Sequence, residues 1–171
     1  MLSRAAGLRF VSIVATFAVG VAVGFRDEFV GPLLLPLRVL TARAVLVIVQ
    51  GAGIDAFRDV SALYGPGGFA YQISRGCLGL VPVAFLVVGV LAYPGERRRK
   101  LQALAVGVPA LFALNLARLV HLFYLGVYRP DLFSLAHQLF WQAGIVAAVF
   151  LVWVAAIGYL ETNGRPSTSA G

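Results

Sequence analysis

The only cysteine of this 171-residue chain stands in Ser74-Arg75-Gly76-Cys77-Leu78-Gly79, where a polar, glycine-punctuated stretch turns into a long apolar run. A thiol at the mouth of a helix faces the free amides of the first turn and the positive end of the helix dipole, a setting that favours the thiolate. Further along, Asn115, Arg118 and His121 recur every three residues inside an otherwise apolar segment and so project from nearly one face. An arginine within a membrane helix needs a partner or a wet cavity, which makes Arg118 a functional candidate; the plain alternative is a side chain snorkelling to the outer surface. Asn115 suits an interhelical hydrogen bond that fixes helix position or orients the arginine. His137 precedes the last apolar run, where an imidazole can titrate near neutral pH, although it also fits an aromatic interface belt with Tyr124, Tyr128, Phe133, Phe140 and Trp141. A thiolate, a permanent cation and a proton carrier are the components of acyl transfer from a peptide. In that chemistry Cys77 is the nucleophile, Arg118 stabilises the oxyanion and His137 protonates the leaving amine. His121 competes for the proton-transfer role, but it shares the face of Arg118 and suits its polar cavity.

The elements that must position these residues belong to a membrane protein. Hydrophobic residues make up 60% of the chain and charged residues 12%, too few charges for a soluble domain of this length. Apolar runs at residues 8–25, 77–93, 101–127 and 139–160 approach the length that crosses a bilayer. A fifth run, 33–50, contains Pro36, Arg38 and Arg43. Because a charge at the bilayer centre costs at least about 2.5 kcal/mol, this segment should tuck its arginines against protein or lie along the interface. The net charge of +7 marks topology and not nucleic-acid binding, since the basic residues fall where loops meet helices. Glu96-Arg97-Arg98-Arg99-Lys100 is the densest basic cluster and belongs in the cytoplasm, so residues 51–76 and 128–138 share the outer side.

The expected fold is therefore all-α: a multi-pass bundle of four firm transmembrane helices, an interfacial or re-entrant helix at 33–50, and a short glycine-rich outer cap. Within the cap, Phe69-Ala-Tyr-Gln-Ile73 alternates as a strand or hairpin would, and Asp55, Arg58 and Asp59 read as solvated. Residues 1–160 are expected to form one membrane-embedded domain, and 161–171, rich in Ser, Thr, Gly and Pro, a disordered cytoplasmic tail. The first run is long for the core of a cleaved signal peptide. One Cys, two His and no acidic residue within a span leave no metal site, and no cofactor is expected.

Taken together, these features resemble the exosortase and archaeosortase family of multi-spanning membrane cysteine transpeptidases. The resemblance covers roughly residues 40–153. It rests on the glycine-rich segment before Cys77-Leu78-Gly79, the basic turn at 97–100, Pro109 with Asn115-Leu-Ala-Arg118, and His137 before the closing span. The stretch from Asn115 to Pro130, with Ala136-His137 and Trp141-Gln142, is most similar to the short subtype called exosortase H. The resemblance implies a catalytic set of Cys77, Arg118 and His137 at the outer face of the bacterial inner membrane, with Asn115 and Gly79 at accompanying positions. It also implies substrates that are exported proteins carrying a C-terminal sorting signal, composed of a short motif, a hydrophobic helix and a basic tail. These are cleaved near the motif and passed to an acceptor that the sequence does not identify. Leu78 departs from the pattern, since many members carry Ser or Asn there.

A reading from a different class is a non-enzymatic membrane subunit or transporter-like protein in which Asn115, Arg118 and His121 line a path. No internal repeat supports it.

Overall fold

The computed structural model describes residues 12, 15, 16 and 32–162. The expected first span at 8–25 and the tail from residue 163 lie outside the described residues. Glu161 and Thr162, grouped with the tail above, instead complete the last turn of a helix.

Helix α1, Leu35–Gly51, opens with Pro36 in its first turn, where a missing amide hydrogen costs nothing, and buries Ala42, Val45 and Val49 at helical spacing. Arg38 is tucked in as expected, its Nε donating to Ile73 O at 2.8 Å. Arg43 is exposed. After α1 the chain forms three short antiparallel strands in the order β1-β2-β3: Phe57–Asp59, Ala62–Tyr64 and Ala70–Gln72. The bundle is thus not strictly all-α, because its cap is a small sheet. Leu63 pairs with Tyr71, and both are buried on one face, while Phe57 stacks on Tyr64 at 4.9 Å on the other.

Three longer elements follow: α2, Leu80–Ala92; α3, Arg97–Tyr128; and α5, Trp141–Thr162, which is reached through the short helix α4, Pro130–Leu135, and a π-helical stretch, Ala136–Phe140. Two helical stretches among the described residues, Arg97–Tyr128 and Pro130–Thr162, are long and apolar enough to cross a bilayer. Helix α2 has 13 residues, about 20 Å at 1.5 Å per residue, short of the span expected over 77–93. Its start is delayed to Leu80 by the left-handed Gly79, and Pro94 follows its end. Pro109 is accommodated inside α3.

Among the described residues, two apolar clusters hold the bundle. One joins Leu86 and Val90 of α2, Leu111 of α3, and Ala156 and Leu160 of α5. The other joins the cap to α1 and to the C-terminal half of α3, through Leu63, Tyr71, Ile73, Cys77, Leu119, Leu122 and Phe123. Helix α1, with Leu34 just before it, packs into this second cluster as far as Val49. The cap docks by inserting Phe69 at Gly126, where its ring occupies the space that a Cβ would need. The same ring meets Phe123 at 5.5 Å and Phe133 at 5.7 Å, both edge-on. Residues 51–76 and 128–138 therefore share one end of the bundle. The basic turn lies at the other, where Glu96 pairs with Arg99 at 3.1 Å, Lys100 Nζ donates to Leu91 O, and Tyr93 bonds Glu161.

Candidate active site

Cys77 closes a 3-10 turn, Arg75–Cys77, which is held by Cys77 N donating to Ser74 O at 3.0 Å and Leu78 N donating to Arg75 O at 3.1 Å. The sulfur thus precedes the helix instead of lying within its first turn. Its hydrogen-bond partners are two hydroxyls, Ser74 Oγ at 3.4 Å and Tyr71 Oη at 3.8 Å, and not the helix amides expected from the sequence. The residue is 5% exposed, a thiol in a nearly dry site.

Asn115 secures this turn to α3. It is buried, and its Nδ2 donates to Cys77 O at 2.7 Å. Gly79 makes the contact possible for two reasons. Its φ of 69° lies in the left-handed region, and a Cβ there would stand 3.0 Å from Asn115 Cγ. Gly79→Ala is therefore expected to destabilise the protein by about 1–3 kcal/mol, from left-handed strain and from loss of the Asn115 contact. A fall in the thermal unfolding midpoint of the detergent-solubilised chain measures it. An unchanged midpoint would mean that the turn rearranges freely.

One turn beyond Asn115, Arg118 is half-buried, and its Nε is buried without a hydrogen-bond partner. Its charge acts on both the Tyr71 phenol and His137. His137, on the π-helical stretch, is half-buried and lies parallel to Phe133, with ring centroids 5.8 Å apart at 5°. Phe133 in turn meets the Tyr71 ring edge-on at 5.8 Å. Cap, α3 and the π-helical stretch thereby bring Cys77, Tyr71, Arg118 and His137 to one end of the bundle, although no hydrogen bond joins Cys77, Arg118 and His137 directly. A π-helical insertion turns side chains out of α-helical register and is a frequent companion of functional sites.

The electrostatics single out Tyr71. Burial first, then the neighbouring Cys77 through its charge and its hydrogen bond, hold the phenol well above the ordinary tyrosine range, while Arg118 pulls the other way. Reasoning from the sequence passed over both Tyr71 and Ser74. The signal was present in the period-2 alternation of residues 69–73, which turns Tyr71 and Ile73 to the same buried face.

His121 does not join this group. It is exposed, and Trp141 Nε1 donates to its Nδ1 at 2.9 Å, which ties α3 to the start of α5. The regularly spaced Asn115, Arg118 and His121 therefore occupy three different environments, and the first and last are engaged by Cys77 and Trp141. Among the described residues no three His, Cys, Asp or Glu side chains gather as metal ligands would.

No curated protein and no solved structure matches the chain. Residues 2–159 match the family described as Transmembrane exosortase (Exosortase_EpsH). A match across nearly the whole length, carried by a helical membrane protein with its lone thiol in a built polar turn, assigns this chain to the transmembrane exosortase family.

Proposed function

We propose that this protein is a cysteine transpeptidase of the bacterial inner membrane that cleaves the C-terminal sorting signals of exported proteins and passes them to an acceptor. Family membership supports a membrane sorting role. The observation that carries the mechanism is the Cys77 sulfur, 5% exposed and flanked by the hydroxyls of Ser74 and Tyr71, with the charge of Arg118 felt by both Tyr71 and His137. With the basic turn held in the cytoplasm, the cap end faces the periplasm and α1 lies along the outer interface. The hydrophobic helix of a substrate approaches laterally through the bilayer and supplies binding energy, while its motif reaches the cap and supplies specificity.

In this mechanism His137 takes the thiol proton and the Cys77 thiolate adds to the scissile carbonyl. The carbonyl π pair moves to oxygen, where Arg118 stabilises it. Collapse expels the amine, which takes the proton from His137, and leaves a thioester on Cys77. The acceptor nucleophile then resolves the thioester. Asn115 and Gly79 hold the Cys77 turn and are positioning residues.

The thioester is directly testable. Hydroxylamine added to membranes that contain the chain and an exported protein with such a C-terminal signal is expected to divert the cleaved product to its hydroxamate, 15 Da heavier than the free acid by simple composition, roughly the mass of one NH group. Cleavage that yields no hydroxamate at any hydroxylamine concentration would rule out the covalent intermediate.

A further inference from the structure

We infer that Tyr71 is a catalytic residue, its phenol donating a hydrogen bond to the oxyanion formed when Cys77 attacks a carbonyl. The inference rests on the acyl-transfer reading above and adds a group to it. Ser74 Oγ, at 3.4 Å, is the closer of the sulfur's two hydroxyl partners and suffices to serve the sulfur itself. Tyr71 Oη stands farther off, at 3.8 Å, a separation suited to a donor aimed at an atom two bonds beyond the sulfur, where the oxygen of a tetrahedral adduct lies. Leu78, the residue after the nucleophile, has no side-chain donor and is 2% exposed, packed into the apolar cluster under the cap. The position next to the nucleophile thus offers no side-chain oxyanion contact, and Tyr71 fills that need from the sheet.

Three further observations agree. The ring is fixed, stacked near Phe69 at 6.3 Å and edge-on to Phe133 at 5.8 Å, so the hydroxyl is already in place and needs no reorganisation when charge develops. The phenol is held protonated by burial and by Cys77, so it donates without losing its proton. Arg118, whose charge acts on the same phenol, adds a fixed positive charge to the same region, so a neutral donor and a cation converge where negative charge appears.

Two small probes on the purified full-length chain separate this role from others. p-Nitrophenyl acetate acetylates Cys77 through an oxyanion: the thiolate adds to the ester carbonyl, and collapse expels p-nitrophenolate. Iodoacetamide alkylates the same sulfur by direct displacement of iodide, with no oxyanion. Tyr71→Phe keeps the ring packing and removes only the hydroxyl. It is expected to slow acetylation of Cys77, read by peptide mass, about 10- to 100-fold. Alkylation, which tracks the thiolate and its access, should stay within about threefold of wild type. Acetylation unchanged by Tyr71→Phe would overturn the inference. Acetylation and alkylation falling together would also overturn it, because the hydroxyl would then act on the thiol or on the fold. A wild-type chain that is alkylated but never acetylated at Cys77 would remove the acyl-transfer reading itself, and the inference with it.

Discussion

Cys77→Ala and Cys77→Ser are each expected to abolish processing of a co-expressed exported protein that carries a C-terminal sorting signal, by on the order of 10⁴-fold or more, because removing a covalent nucleophile leaves only binding and charge stabilisation. The serine variant is the more informative. Its hydroxyl fits the same turn and can take the place of the sulfur beside Ser74 and Tyr71, so the Asn115 contact to the backbone carbonyl of residue 77 and the packing under the cap should persist. What it lacks is an anion accessible near neutral pH, which a thiol reaches and an alcohol does not. Immunoblots of the membrane fraction must show both variants inserted at wild-type level, with the substrate accumulating uncleaved. Wild-type cleavage by either variant would remove Cys77 from the mechanism.

Arg118→Lys is expected to lower the processing rate about 10²- to 10³-fold, the scale of losing one preorganised oxyanion contact. The substitution keeps a positive charge, so it separates charge from geometry. Arginine presents its charge through a planar fork, and here the Nε end is buried without a hydrogen-bond partner. Lysine ends in a compact ammonium and has no donor at that point along its chain. The neighbouring Asn115 contact to the Cys77 carbonyl comes from a separate side chain and should survive, so the protein should insert and unfold as the wild type does. Processing at the wild-type rate in the lysine variant would reduce Arg118 to a membrane-surface anchor. An intermediate loss shared with Arg118→Gln would assign its role to hydrogen bonding and not to charge.

Family membership and the placement of the cap follow from different levels of organisation. The family match spans residues 2–159, and the motif residues that suggested it stand in short separate stretches that are legible in chain order without knowing what packs on what. The cap, by contrast, is seated by Phe69 against Gly126, two residues far apart in the chain. Removal of a Cβ at residue 126 looks like any other glycine in an apolar run until the opposing ring is placed. The same holds for Asn115. Its polarity inside an apolar run announced a hydrogen bond, but the identity of the acceptor, the Cys77 carbonyl, depends on how α3 packs beneath the turn.

From the amino-acid order alone came a helical membrane protein, the shared end of residues 51–76 and 128–138 opposite the basic turn, and the candidacy of Cys77, Arg118 and His137. These follow from hydropathy, from charge placement and from the 3.6-residue repeat, all properties of short stretches. Only the tertiary structure decided that α2 begins at Leu80, that Pro130–Thr162 passes through a π-helical stretch, and that the cap is a three-stranded sheet. It alone also decided that the sulfur answers to the Tyr71 and Ser74 hydroxyls and that His121 turns to Trp141. Apolar composition does not change at a left-handed glycine or where hydrogen bonding shifts from i+4 to i+5, and a polar side chain's partner is set by which distant elements pack against it.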